Sequence, residues 1–310
     1  MRFATYHHDG RQRVGVLDDD DLLHPVDAAT LVDVLGDLPA AGADALARPA
    51  GPHVSAVRLL APLQPPTVRD FVTFEEHVEG MRAGAGVPEQ WHAAPTFYFG
   101  NPHAVLGPHD DVPVPPGCAR FDFELEVAAV IGREGRDLTA GQAGDHIAGY
   151  TIFNDWSARD LQAAEMTVGL GPCKGKDTAT TLGPWLVTPD ELEPCRDADG
   201  LLRLALTALV NGEVVGSDLL SNMSWTFEEM VAYASRGTLV RPGDVLGSGT
   251  CGNGGCLAEL WGRGAERRPL RPGDTVTLIV EGIGRLSTTV VTGAGITPLP
   301  RARRRSRTRP

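Results

Sequence analysis

Phe121-Asp122-Phe123-Glu124-Leu125-Glu126-Val127 alternates apolar residues with acids without a break. Successive side chains of a strand point to opposite faces. This period therefore places Asp122, Glu124 and Glu126 on one face and Phe121, Phe123, Leu125 and Val127 on the other. Three like charges on one face repel each other. If the apolar face packs in a core, the acidic face either opens to water or gathers around a cation. An all-oxygen donor set selects a hard ion, Mg²⁺, Ca²⁺ or Mn²⁺, over zinc or copper.

A second acid lies downstream, where Thr151-Ile152-Phe153-Asn154 ends an apolar strand at Asp155. The following Trp156-Ser157-Ala158-Arg159-Asp160-Leu161-Gln162 reads as a helical turn. Spacings of four and seven residues bring Asp155, Arg159 and Gln162 to roughly one face, joining a carboxylate, a fixed cation and an amide. An N-terminal Asp with an i+4 ion pair reads equally well there.

Around these segments the pattern is mostly β with some α. Strands are expected over 124–132, 147–153, 184–188, 203–210, 244–248, 274–280 and 286–292, separated by turns such as Arg271-Pro272-Gly273-Asp274. Helices are expected over roughly 70–82, 157–164 and 225–235, the last with Thr226 ahead of Glu228 and Glu229. No βαβ rhythm appears, which argues against a doubly wound sheet. Residues 2–7 and 12–18 flank His8-Asp9-Gly10 as a hairpin, and a short apolar-periodic helix is expected from Asp27. Residues 36–65 look loop-rich, with Gly51-Pro52, Pro62 and Pro65-Pro66. The expected organisation is a small N-terminal domain over 1–65, a catalytic domain over 66–300 and a basic, disordered tail over 301–310.

A chain of 310 residues buries a sizeable core. Its net charge is −12, and six of its 28 basic residues lie in the last ten positions, so the remainder carries −18. A body that acidic repels a phosphate backbone, and no nucleic-acid partner is expected. No apolar run approaches the roughly 20 residues that cross a bilayer. Five cysteines without CxxC spacing, and no apolar leader, suggest a reduced, cytoplasmic protein.

The order of FDFELE and then FNDWSARDLQ resembles the metal and substrate site of the fumarylacetoacetate hydrolase superfamily. Further segments agree with that resemblance. Val68-Arg69-Asp70 through Glu76-His77 is similar to the stretch with the remaining metal aspartate and the catalytic histidine, and Gly175-Lys176-Asp177-Thr178-Ala179-Thr180 to the family's Gly-Lys loop. Pro95-Thr96-Phe97-Tyr98-Phe99-Gly100 matches a substrate-contacting tyrosine turn. Gly247-Ser248-Gly249-Thr250, then Gly255-Cys256-Leu257-Ala258-Glu259-Leu260, resembles the portion with the glutamate that orients the histidine.

The resemblance implies a mixed β-sandwich roll with a small N-terminal α+β domain, commonly a homodimer. It implies one divalent cation, Mg²⁺ first and Ca²⁺ or Mn²⁺ as alternatives, on Asp70, Glu124, Glu126 and Asp155. His77 would be the general base, oriented by Glu259, with Arg159, Gln162 and Lys176 serving developing negative charge. Tyr98, Arg159, Gln162, Lys176, Thr180 and Thr250 would contact a small oxo acid. The implied reaction is hydrolysis of a C–C bond in a 1,3-diketo acid such as fumarylacetoacetate or an acylpyruvate. Decarboxylation, tautomerisation or isomerisation, or dehydration of a 2-oxo or 2-hydroxydienoic acid is the alternative on the same site. Glu75, Glu76 and Glu79 compete with Glu259 as the histidine's partner. Short acylpyruvase-like members carry that Glu three residues after the histidine, where this chain has Gly80, which favours Glu259. Gly80, Gly84 and Gly86 within 70–95 suggest a lid.

Overall fold

The computed structural model describes residues 1–83, 85–307 and 309. Gly84, one of the expected lid glycines, and Thr308 and Pro310 of the basic tail lie outside the described residues.

The chain opens on a hairpin, β1 (Arg2–His8) and β2 (Arg11–Leu17), turned at Asp9 and Gly10. Both turn residues have positive φ, 48° and 75°, the conformation a tight two-residue hairpin requires. After β3 (Leu23–Pro25), a 3₁₀ turn over Leu31–Asp37 leads into helix α1 (Leu38–Leu46), which Asp37 caps by accepting from the Ala40 amide. The helical stretch thus lies later than the apolar spacing from Asp27 suggested, and partly inside the segment read as loop. The described tail residues, 301–307 and 309, form no helix or strand and are exposed.

The strands that carry the site are β4 (Val68–Phe71), β5 (Phe97–Gly100), β6 (Leu125–Ile131), β7 (Ile147–Asp155), β8 (Thr180–Val187) and β11 (Val245–Gly247). Together with the N-terminal strands they form one sheet in the order β3-β2-β1-β8-β7-β6-β11-β4-β5. β1 joins it through Arg2 opposite Val187 and Phe3 opposite Leu186. A second sheet is built from β9 (Ala205–Val210), β10 (Glu213–Leu219), β12 (Thr275–Val280) and β13 (Gly284–Val291), in the order β10-β9-β12-β13, closed by a short strand at Val112–Pro113. The architecture is mostly β with some α, as the pattern predicts, and its two large sheets agree with the sandwich roll that the resemblance implies.

Strand β6 shows how the alternation is used. Leu125, Val127, Ala129 and Ile131 face the second sheet and share a core with Leu206, Ala208, Val276, Leu278 and Leu286. Ala128 and Val130 face the other way, into a core with Phe3, Val16, Leu35, Val68 and Leu186. Both faces are covered, so every residue of β6 is buried. The acidic face of the motif is accordingly not open to water: Glu124 is 3% and Glu126 0% exposed.

The helices that bear on the site and its core are α2 (Glu75–Met81), α3 (Arg159–Met166), α4 (Phe227–Ser235) and α5 (Leu257–Gly262). Thr226 caps α4 in a reciprocal box with Glu229, as the sequence suggested. The expected helix over 70–82 is corrected: it starts at Glu75, and Val68–Phe71 is a buried strand between β11 and β5. Pairing on both edges fixes that segment, and a single-sequence helical pattern carries no information about it.

Candidate metal and catalytic centre

At one end of the large sheet, three neighbouring strand systems deliver acids to one place. Asp70 comes from β4, Glu124 from the residue preceding β6, and Asp155 from the last position of β7. One oxygen from each lies within 4.8 Å of the others, and all three residues are buried. Glu126 stands beside them, accepting from the Gly249 amide at 3.0 Å and facing the Thr250 hydroxyl at 3.5 Å. The parallel pairing of β4 with β11 sets Asp70 opposite Gly247. A Cβ at Gly247 would lie 2.7 Å from Asp70 Oδ1 and 3.0 Å from Glu126 Oε2, so the absence of a side chain there makes room for both carboxylates.

Two cations partly neutralise the group, and a phenol donates to it. Lys176 Nζ donates to Glu124 and, at 2.6 Å, to Asp155 Oδ2. Half-buried Tyr98 donates to Asp70 Oδ2 at 2.7 Å and also contacts Asp155. Arg159 is spread over Asp122 Oδ2 at 2.8 Å, Glu124 Oε1 at 2.7 Å and Gln162 Oε1 at 3.2 Å. Thr180 is buried directly across the β7–β8 ladder from Asp155.

The electrostatics follow this layout. Burial first, and the Asp155 charge second, push Asp70 up to about 7. Burial likewise raises Asp155 and Glu126. Glu124 feels the same burial, but Lys176 and Arg159 outweigh it and hold it at about 2. Lys176 would be lowered by burial, yet Asp155 and Glu124 drive it above its ordinary range. Four buried carboxylates share one lysine and a part of one arginine, and Asp70 Oδ1 is buried without a hydrogen-bond partner. An orphaned carboxylate oxygen inside an all-oxygen, electron-rich cluster fits a hard divalent cation.

Asp122, which the alternation places on one face with Glu124 and Glu126, serves a different purpose from theirs. The strand is interrupted at Phe123 and Glu124, between the two-residue strand Phe121–Asp122 and β6. Fully buried Asp122 turns to α5, accepting from the Leu257 and Ala258 amides at 2.8 and 3.0 Å, and it holds Arg159. It is a positioning group for both elements, which the alternation alone did not reveal. Glu165 is another group the sequence left unmarked: its carboxylate accepts from the Cys173, Lys174 and Gly175 amides at 2.8–3.0 Å and anchors the lysine loop.

His77 on α2 is 6% exposed, and its Nδ1 lies 3.6 Å from Oε2 of fully buried Glu259 on α5. Glu75, Glu76 and Glu79 are all exposed on α2, so of these four competing acids Glu259 is the one beside the imidazole Nδ1. Gly80 explains the arrangement: a Cβ there would run into Glu259 Cγ and lie 3.0 Å from Arg263 Nε. Gly262 of α5 is likewise packed on the Gly80 carbonyl. Arg263 Nε approaches Glu259 Oε1 at 3.0 Å.

A mostly-β fold thus converges buried acids, a lysine, an arginine and a histidine–glutamate pair on one end, a donor set able to hold a hard cation. The family model described as fumarylacetoacetate (FAA) hydrolase, C-terminal, matches residues 67–291. The chain belongs to the fumarylacetoacetate hydrolase family. It is 32% identical to the fumarylacetoacetase of Arabidopsis thaliana over 289 aligned positions, covering 77% of this chain and 68% of that protein. Among solved structures, a fumarylacetoacetate hydrolase from Exiguobacterium antarcticum superposes with a TM-score of 0.76 at 28% identity, covering 94% of this chain and 99% of that one. A 5-carboxymethyl-2-hydroxymuconate delta-isomerase from Mycobacterium smegmatis gives 0.71 at 27%, covering 94% and 100%. Hydrolases and isomerases thus share this fold. No helix among the described residues is long and apolar enough to cross a membrane.

Proposed function

We propose that this protein is a divalent-metal-dependent hydrolase that cleaves a C–C bond in a small 1,3-diketo acid of the fumarylacetoacetate or acylpyruvate kind. The observation that carries the reading is the pairing of His77 with Glu259 beside the acid cluster. Isomerisation does not require an activated water, whereas hydrolysis does. Asp70, Glu124 and Asp155, with Glu126 adjoining, would hold the ion. When bound, it supplies a positive centre that orients adjacent oxo-acid oxygens and favours enolate charge. Mg²⁺ suits the all-oxygen set best, with Ca²⁺ or Mn²⁺ as alternatives.

The protein's own groups account for the proton traffic. His77 takes a proton from water as its oxygen attacks the ketone carbon, and Glu259 stabilises the imidazolium. Lys176 and Arg159 present positive charge toward the oxyanion, and Gln162 steadies Arg159. As the C–C bond breaks, its electron pair stays with the departing enolate carbon, which recovers the proton from His77. Tyr98, Thr180 and Thr250 border the acids and are assigned to substrate contact.

The second reading is isomerisation or decarboxylation of a 2-oxo or 2-hydroxydienoic acid. It is favoured by the likeness to the M. smegmatis isomerase, and enolate stabilisation serves it equally. A metal-supplemented assay on acetylpyruvate, fumarylacetoacetate and oxaloacetate, with Glu124→Ala as control, separates the two. Metal-dependent loss of diketone absorbance with release of two acids supports hydrolysis. Pyruvate formed from oxaloacetate alone refutes it in favour of the second reading.

A further inference from the structure

The acid cluster is not the only group of metal donors at this end of the sheet. His77, Glu124 and Cys256 each present a ligand atom within 4.8 Å of the other two. All three are buried, at 6%, 3% and 0% exposure. Cys256 Sγ lies 4.0 Å from His77 Nδ1. The thiol sits at the N-terminal cap of α5, accepting from the Glu259 amide at 3.3 Å, so the backbone fixes its position. Imidazole, thiol and carboxylate form a donor set unlike the all-oxygen cluster next to it.

We propose that His77, Glu124 and Cys256 form a second metal site, selective for a borderline, thiol-seeking divalent ion such as Zn²⁺ or Co²⁺. The dimensions support it. With Zn–S of about 2.3 Å and Zn–N of about 2.0–2.1 Å, a tetrahedral ion separates sulfur from nitrogen by about 3.6 Å. The observed 4.0 Å closes to that with a shift of a few tenths of an ångström. Three protein ligands leave a fourth position for water, the pattern of an open site. Softness then sorts the ions: sulfur and nitrogen favour Zn²⁺ or Co²⁺ here, while four carboxylates favour Mg²⁺ next door. Binding replaces the thiol proton, which is released to solvent, and frees Glu124 from part of its contact with Lys176 or Arg159. Glu124 is common to both sites, so occupation of one alters the other.

The consequence for turnover rests on the reaction proposed above. An ion on Nδ1, the nitrogen that faces both Cys256 and Glu259, takes the place of the proton through which Glu259 would stabilise the imidazolium, so Zn²⁺ should inhibit the Mg²⁺-supported reaction.

The test titrates Co²⁺ into the full-length protein at saturating Mg²⁺ without substrate, and reads the near-ultraviolet thiolate-to-cobalt charge-transfer absorption. The site predicts a band that saturates at one equivalent, is absent from Cys256→Ser, is weakened at least ten-fold in affinity in His77→Ala, and persists in Cys251→Ser. Serine keeps a cap acceptor for α5. If circular dichroism shows that variant unfolded, the His77→Ala titration decides. No band in the native protein, or a band unchanged in Cys256→Ser or His77→Ala, overturns the site. Because no substrate is present, that failure leaves the hydrolase reading standing, and a failed oxo-acid assay leaves the band standing. In turnover, Zn²⁺ sensitivity should fall at least ten-fold in Cys256→Ser relative to its own uninhibited rate. Equal sensitivity overturns the inhibitory role.

Discussion

Moving the buried carboxylate from position 259 to position 80 is the sharpest test of the histidine–glutamate pair. Residue 80 lies one helical turn after His77, on the same face. Its missing Cβ points into the stem of Glu259 and toward Arg263. Glu259→Ala removes a charge 3.6 Å from the imidazole. At an effective dielectric near 20 that contact amounts to at most about 4.6 kcal/mol. Arg263 draws on the same carboxylate, which halves it to about 2–3 kcal/mol, a loss in kcat of about 30- to 150-fold. Gly80→Glu alone forces atoms into occupied space, costs about 1–3 kcal/mol of stability and lowers kcat about ten-fold by displacing Glu259. The double variant vacates the space and supplies a carboxylate from α2. It should be at least ten-fold more active than the product of the two single losses, a coupling of at least about 1.4 kcal/mol. The assay is kcat at saturating Mg²⁺ on the diketo acid turned over, with thermal melts to confirm folding. Strictly multiplicative losses would refute the claim that the two positions compete for one volume and one role.

His77→Ala should lower kcat about 10²- to 10⁴-fold while Mg²⁺ affinity by calorimetry stays within three-fold, and unchanged turnover would remove His77 as the base. The metal-free protein should lose stability as pH rises. Asp70 at about 7, and the raised Asp155 and Glu126, hold protons in the fold that the unfolded chain gives up near pH 4. Their stabilisation is complete below pH 4 and is lost as pH climbs through the folded values, at about 1.4 kcal/mol per pH unit for each group. In chelator, Tm should therefore fall between pH 4 and 7, and saturating Mg²⁺ should remove the fall; a Tm that rises over that range in chelator contradicts the scheme. Asp122→Ala takes one of Arg159's two carboxylate partners and leaves the Leu257 and Ala258 amides without an acceptor, and should cost about 3–5 kcal/mol by urea melts, whereas a cost below about 1 kcal/mol would show that Asp122 does not join α5 to Arg159.

What the sequence revealed was local in its physics. The period of two in Phe121 to Val127 predicts the faces of β6 because side-chain direction depends only on the strand itself. The cap at Thr226 was legible for the same reason. The motif could not show that its first acid leaves the cluster, because the interruption at Phe123 and Glu124 answers to α5 and Arg159, remote in the chain. The expected helix over 70–82 takes in Asp70 and Phe71, the end of a strand whose pairing partners, β11 and β5, are distant in sequence. Glu165 and Gly247 carry no signal of their own: one matters through three amides of a later loop, the other through the side chain it lacks. Asp70, His77, Lys176 and Glu259 were marked only by the resemblance, and the structure brings them to one end of the large sheet.

The parallel pairing of β4 with β11 has a consequence for how the protein comes into being. Val68 meets Val245, and Gly247 completes the wall behind Asp70. The large loop between them must close before the acids face each other, and such remote pairings form slowly. During synthesis the chain therefore carries all the ligands of its centre long before it has a centre. Mutual repulsion among the acids opposes the last step until Lys176 or an ion arrives between them. An ion held there would clasp β4, β6 and β7 together, and refolding with Mg²⁺ present is therefore expected to give a higher yield of folded protein than refolding in chelator.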